Sequence, residues 1–277
     1  MPATQADKAK RFVALHERPG AFVIPNPWDA GSARILERLG FEAMTTTSAG
    51  LAFALGKRDG DGSVTREETL GNARSIAEAT DLPVAADLEN GYGDSPEVAA
   101  ETIRLAGEAG IVGASIEDST GDLSRPIYDL SLAVERVAAA VEAARRFPFP
   151  FVFVGRAENF VHGRPDLDDT ILRLRAYEAA GADVLFAPGL TTADQIRAVC
   201  SAVAKPVNVV AGLSGKSFSM AELAEMGVKR VSVGSALSRA ALGAFVRAAK
   251  EIRDRGTFEF AAEAISYSDA SDLVSEK

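Results

Sequence analysis

The 277 residues carry 39 acidic against 30 basic side chains, a formal charge of −9, and a single cysteine, Cys200. That balance argues against nucleic acid as the main partner, because phosphate binding needs a basic footprint, and a lone cysteine excludes an internal disulfide or a cysteine-built metal cluster. No apolar run approaches a membrane span, and the polar start at Met1–Lys10 lacks the parts of a secretory signal, so a cytoplasmic chain with no membrane partner is expected.

Short apolar runs alternate with longer helical patterns along the chain. Strands are predicted at Phe22–Ile24, Ala43–Thr46, Val84–Asp87, Gly113–Glu117, Phe151–Arg156, Val184–Phe186, Val207–Val210 and Arg230–Val233. None shows a polar alternating face, as expected of strands covered on both sides. Helices are predicted at Ala30–Leu39, Thr65–Ala79, Ser95–Ala109, Ser131–Ala144, Asp166–Ala180, Thr192–Val203, Ser219–Met226 and Ser235–Arg255. Thr65 with Glu68 forms a capping box, Pro96 sits at a first helical position, and Gly40, Gly110, Gly181 and Gly227 stand where helices end on a left-handed residue. Eight strands and eight helices in strict alternation at this length predict a single α/β domain, a (β/α)8 TIM barrel over residues 1–260. The acidic, serine-rich stretch 261–277 is expected to be partly disordered or to dock on a neighbour.

Active sites of such barrels lie at the C-terminal ends of the strands. There the chain places acids: Asp87 and Glu89 after strand three, Glu117 and Asp118 after strand four, Glu158 after strand five, and Asp59 in the loop after strand two. One acid there would be read as a cap or an ion pair. Asp87, Glu89 and Glu117 on neighbouring strands favour a metal site, since packed carboxylates repel one another unless a cation neutralises them. An oxygen-only set suits Mg2+, with Mn2+ as an alternative, and His16 and His162 are poorly placed for zinc.

Arg156, ending strand five, can fork onto a substrate carboxylate or pair with Glu158 or Glu117. The run Thr45-Thr46-Thr47-Ser48-Ala49-Gly50 can cradle a carboxylate at a helix start or simply cap that helix. Gly91-Tyr92-Gly93 reads as a close backbone approach or a plain turn. Gly212-Leu213-Ser214-Gly215-Lys216-Ser217 resembles part of a P-loop but lacks its first glycine, so a nucleotide site is not expected and phosphate is a minor option. Cys200 lies in a helix away from the strand ends.

Pro25-Asn26-Pro27-Trp28-Asp29-Ala30, Thr47-Ser48-Ala49-Gly50, Arg58-Asp59, Asp87-Leu88-Glu89-Asn90-Gly91-Tyr92-Gly93, Ser115-Ile116-Glu117-Asp118 and Gly155-Arg156 together resemble the isocitrate lyase/phosphoenolpyruvate mutase superfamily, over about Phe12 to Ala249. The resemblance implies a Mg2+ barrel that makes or breaks C–C or P–C bonds beside the carbonyl of a small anionic 2-oxo acid. It implies that Asp87 binds the metal directly, and Glu89 and Glu117 mostly through water. It places Asp59 near the reacting centre, Arg156 on the substrate, and Thr47, Ser48 and Ala49 on a substrate carboxylate. With these, Thr45, Asp87 and Asn208 on strand seven complete the candidate substrate contacts, and Asp59, Glu117 and Arg156 are the candidate catalytic residues. It also implies a homo-oligomer, dimer or tetramer, whose last helix, Ser235–Arg255, packs on a neighbour.

The chain departs from the family in the loop Asp118–Asp129, which holds none of the cysteine, histidine or lysines of the lyases, nor the asparagine and lysines of the mutases. The reading that survives is C–C cleavage of lyase or decarboxylase type on a small 2-oxo or 2-hydroxy di- or tricarboxylic acid, through an enolate. P–C chemistry of mutase or phosphonopyruvate hydrolase type is the alternative, and a non-catalytic 2-oxo acid binder is the third.

Overall fold

The computed structural model describes residues 2–212 and 218–275. Its strands are β1 (Phe22–Ile24), β2 (Met44–Thr45), β3 (Val84–Asp87), β4 (Gly113–Glu117), β5 (Val152–Arg156), β6 (Val184–Phe186), β7 (Val207–Val210) and β8 (Arg230–Ser232). All pair in parallel in the spatial order β1-β8-β7-β6-β5-β4-β3-β2. The remaining seam is bridged where the Thr45 N–H donates to the Pro25 carbonyl at 3.0 Å. The predicted (β/α)8 barrel is what forms.

The helices are α1 (Gln5–Glu17), α2 (Ala30–Arg38), α3 (Ser48–Ala54), α4 (Arg66–Glu78), α5 (Pro96–Glu108), α6 (Leu130–Arg145), α7 (Leu167–Ala179), α8 (Ala193–Ala202), α9 (Met220–Glu225), α10 (Ala236–Arg255) and α11 (Tyr267–Val274). Helices α1 and α11 are absent from the sequence reading, and α3 is present there only as a helix start. Helix α1 hides in a polar segment: its mean polarity is high, but Ala9, Phe12 and Leu15 share one face and Thr4 with Asp7 forms a capping box. Helix α3 begins at Ser48 with Thr47 as its cap. Helix α11 orders most of the tail, which lies on α2 of its own chain: Arg34 Nη1 donates to the Val274 carbonyl at 2.9 Å and Arg38 Nη2 to Ser275 Oγ at 3.0 Å. The P-loop-like run falls outside the described residues apart from Gly212.

Alternation along each strand divides the core in two. Residues facing outward, such as Ala86, Ala114, Ile116, Phe153 and Leu185, pack under the helices with Ile103, Val137, Leu174 and Tyr177. Residues facing inward, such as Phe22, Ile24, Ala85, Val152, Val154 and Val184, close on Ala9, Phe12 and Leu15 of α1, which plugs the N-terminal end of the barrel. A Cβ at Gly113 would stand 2.7 Å from Phe12 Cε1 and 2.8 Å from the Val152 carbonyl oxygen. The plug leaves the C-terminal ends of the strands as the open face. No helix among the described residues is long and apolar enough to cross a membrane.

Because the Gly113 contact includes backbone, it cannot relax by a rotamer change. Gly113→Ala is expected to destabilise the fold by about 1–3 kcal/mol, read as a lower denaturation midpoint with an unchanged slope.

Candidate active site

The ladder between β4 and β5 sets Glu117 beside Arg156, and the ladder between β3 and β4 carries Asp87 beside Ser115. Asp87, Glu117 and Arg156 each end their strand, so their side chains converge on the barrel mouth. Arg156 is the hub. Its Nη1 lies 2.8 Å from Asp87 Oδ1, its Nη2 2.9 Å from Glu117 Oε2, and its Nε 3.0 Å from Glu158 Oε1. Its guanidinium carbon lies 5.2 Å from the centre of the Phe186 ring. The ion-pair reading of Arg156 is therefore realised, with Asp87 added to the two partners expected.

Asp87 has further anchors. Its N–H donates to Thr46 Oγ1 at 2.9 Å, while its carboxylate accepts from the Ser48 N–H and the Glu89 N–H, each at 3.3 Å. The loop beyond it is tightly wound. Glu89 and Tyr92 both hold positive φ, 47° and 65°, a conformation that costs a non-glycine residue energy and persists only when its surroundings enforce it. The enforcing contacts are present: the Glu117 N–H donates to the Glu89 carbonyl at 2.9 Å, Tyr92 OH to Thr69 Oγ1 at 2.7 Å, and Thr102 Oγ1 to the Gly91 carbonyl at 2.8 Å. Arg136, 1% exposed, reaches from α6 to the Asn90, Gly93 and Asp94 carbonyls. Gly91 (φ 81°) packs against Ile116 and Ala99, so the two glycines serve a turn pressed onto the barrel.

Asp118 faces away from the mouth and ties the next layer together. It accepts from the Glu158 N–H at 2.8 Å, from Arg173 Nη1 at 3.0 Å and from Tyr177 OH at 2.6 Å. Glu158 is thus fixed before it meets Arg156. Sequence reasoning missed Arg136, Arg173 and Tyr177; the available signal was two arginines on the buried phase of otherwise apolar helix faces. It also missed Ser119, whose Oγ lies 3.0 Å from His162 Nε2 across the loops after β4 and β5.

The other predicted site residues scatter around this hub. The Thr45 backbone closes the barrel seam, and Thr47 Oγ1 caps α3 by accepting from the Gly50 N–H at 3.3 Å. Ser48 and Ala49 form the first turn of α3, with the Ser48 amide engaged by Asp87. Asp59 is close enough to Asp87 and Arg156 to feel both charges. Asn208, buried on β7, stands beside Phe186 and donates to Ser232 Oγ at 3.0 Å. A cavity of about 710 Å3 opens beside the hub, lined by Glu89, Tyr92, Glu117, Ser119, Asp61 and Arg66 among others.

Charge does not balance here. Asp59, Asp87, Glu89, Glu117 and Glu158 face one guanidinium. Burial, then Asp87 and Asp59, push the Glu89 carboxyl up to about 7. Burial pushes Glu158 up to about 7 despite Arg156, and Glu117 well above its ordinary value. Burial and Asp87 raise Asp59. Burial opposes the charge on Arg156, but Glu117, Glu158 and Asp87 outweigh it. An oxygen-only set with surplus negative charge fits a hard divalent cation. Among the described residues, no three acidic, histidine or cysteine side chains are gathered closely enough to ligate one ion directly.

A raised carboxylate pKa means that ionisation is easier in the unfolded chain. Glu89 therefore stabilises the metal-free fold below about pH 4.5 relative to higher pH, and that contribution is lost as pH rises toward 7. Mg2+ is expected to raise the melting temperature more at pH 8 than at pH 5, because protons compete with the ion at low pH; calorimetric scans with Mg2+ and with EDTA check this.

The pattern of the family described as phosphoenolpyruvate phosphomutase matches residues 12–253. A crystal structure from Burkholderia cenocepacia J2315, provisionally described as a lyase/mutase, superposes with a TM-score of 0.95 at 59% identity, covering 97% of this chain and 96% of that one. The oxaloacetate decarboxylase of Bradyrhizobium sp. (strain BTAi1) is 34% identical over 212 residues, 74% of this chain and 70% of its own. Oxaloacetate acetylhydrolase with its product oxalate superposes at a TM-score of 0.88 and 26% identity, over 99% of this chain and 94% of that one. By sequence pattern, fold and the acids at its strand ends, the chain belongs to the isocitrate lyase/phosphoenolpyruvate mutase superfamily.

Proposed function

We propose that this chain is a Mg2+-dependent carbon–carbon lyase or decarboxylase acting on a small 2-oxo di- or tricarboxylic acid, with oxaloacetate the first candidate. The observation that carries the reading is the charge imbalance: Asp87, Glu117 and Glu158 pair with Arg156, Asp59 and Glu89 stand near enough to feel its charge, and Glu89 and Glu117 open onto the cavity. Such a set repels an anionic substrate unless a divalent cation stands between them. Two relatives named for oxaloacetate chemistry support the substrate class.

When bound, the ion supplies Lewis-acid stabilisation of the negative charge that develops on the keto oxygen. The chain supplies the rest. Arg156, held from three sides, orients the carboxylate beside the carbonyl. In a decarboxylation the C3–C4 bond breaks, CO2 leaves, and its electron pair becomes the enolate of pyruvate. A proton must then reach C3. The loop after β4 lacks the family's usual acids, but Ser119 lines the cavity and joins His162, so a hydrogen-bonded path runs from the loop after β5 to the substrate pocket. Ser119 Oγ would give its proton to C3 and regain one from His162 Nε2–H, the imidazole taking a proton from solvent at Nδ1; burial lowers the His162 pKa, with Asp118 opposing, so the ring starts and ends this relay neutral.

We also propose a homo-oligomer built on α10. Only Ser238 of that helix is buried, while Leu237, Leu242, Phe245 and Val246 stand exposed, Phe245 by 69%.

NMR-monitored turnover of a 2-oxo acid panel, with Mg2+ and with EDTA, tests the assignment. Metal-dependent conversion of oxaloacetate to pyruvate is expected, and Asp87→Ala should lower kcat/KM at least about 100-fold. Phosphate release from phosphonopyruvate would instead establish P–C chemistry, and tight binding without turnover across the panel would establish a binding protein. Ser119→Ala and His162→Asn are each expected to lower kcat by about 100-fold with KM little changed. Equal losses in kcat and binding would contradict the proton path.

A further inference from the structure

A second charge imbalance lies at the opposite end of the barrel. Arg230 is the first residue of β8, in register with Phe22 on one side and Asn208 on the other. Strand alternation turns its side chain inward, toward the face that Phe22 and Ile24 share with the α1 plug. It is 4% exposed. Its guanidinium carbon lies 5.9 Å from the centre of the Phe12 ring. Its Nε and Nη1 are buried without a hydrogen-bond partner among the described residues, and burial alone acts on its charge, with no described carboxylate contributing.

His16 stands in the same place. Its ring meets Phe12 and Phe22 edge-on, at centroid distances of 4.8 and 5.0 Å, and its Nδ1 lies 2.8 Å from the Phe12 carbonyl. Its Nε2 is also buried and unpartnered. Burial, then the charge of Arg230, push this imidazole down to about 3, so it is neutral and cannot add to the positive charge. Burial pulls Arg230 down to about 9, which leaves it charged at pH 7. A cavity of about 600 Å3 opens on the outer side of His16, lined also by Glu17, Asp183 and Lys205; Arg230 is not part of its wall.

A guanidinium taken out of water without a counter-charge costs several kcal/mol, a large fraction of any domain's stability. The described protein groups supply no such charge. We propose that the base of the barrel binds one small monovalent inorganic anion, a halide, against the Arg230 guanidinium. Aromatic rings and strand backbone surround the guanidinium, so a heavily hydrated dianion such as sulfate is disfavoured there. The site is structural: it neutralises the barrel base and links the stability of the plugged end to halide concentration. It is independent of the carboxylate cluster and of the activity proposed for it.

Thermal unfolding of the full chain in chloride, bromide, sulfate and gluconate, at constant ionic strength so that screening is fixed, is the test. Chloride and bromide should raise the melting temperature saturably over gluconate, by roughly 5 °C at a hundredfold excess over Kd, and sulfate should not. Crystals grown in bromide should show one anomalous peak beside Arg230. Arg230→Met should abolish the halide dependence and melt at or above the wild-type value in gluconate. A wild-type melting temperature that is the same in all four salts, or bromide crystals with no anomalous peak beside Arg230, would overturn the proposal. Halide dependence undiminished in Arg230→Met would do the same.

Discussion

Arg156 holds three carboxylates that would otherwise drive one another apart, and the polar architecture of the open barrel face is arranged around that fact. Its partners arrive from three consecutive strands: Asp87 from β3, Glu117 from β4, and Glu158 just past β5. Each is fixed from behind. The Thr46 hydroxyl holds the Asp87 backbone, the positive-φ turn at Glu89 accepts the Glu117 N–H, and Asp118 accepts the Glu158 N–H. A long arginine at the mouth of a barrel could adopt many rotamers. Here the surrounding acids leave it one position, which is what orienting a substrate requires.

The same arrangement carries an unresolved surplus of negative charge. One guanidinium cannot neutralise five nearby carboxyl groups, and burial makes the surplus more expensive than it would be in water. The raised Glu89, Glu117 and Glu158 carboxyls are the signature of that surplus. Such a site is poor as a finished structural network and well suited to receive a cation. The outer layer contrasts with it: Arg173 bridges Asp118 and Asp169, and both Asp118 oxygens accept hydrogen bonds, from the Glu158 N–H and from Arg173 and Tyr177. That outer network is satisfied within the fold, while the one around Arg156 keeps the surplus charge on which the proposed cation site rests.

The barrel was legible because strand and helix patterns repeat eight times, each with its own cap and glycine stop. Most strand boundaries were read to within a residue. Helix α1 was not, because its core-facing Ala9, Phe12 and Leu15 are diluted by lysines and a glutamine that only the barrel base explains. In the site, the acids were readable because they follow apolar strands directly. Arg136 and Arg173 were not, since an arginine within a helix usually faces solvent and only tertiary packing shows that these face inward. The Ser119–His162 pair joins residues 43 positions apart and has no sequence signature. Thr47 carries two readings in the sequence: its hydroxyl caps α3, and the substrate contact expected of it belongs to the proposed function.

The proposed function stands on a cation site formed by the acids around Arg156 and anchored on Asp87. Titration of the full chain with Mn2+, followed by electron paramagnetic resonance of the free ion, measures it without reference to any substrate. The account predicts one Mn2+ bound per chain, displaced by Mg2+, and lost in Asp87→Asn while the folded circular dichroism spectrum is kept. Absence of binding in the wild-type protein, or equal binding in Asp87→Asn, would contradict it.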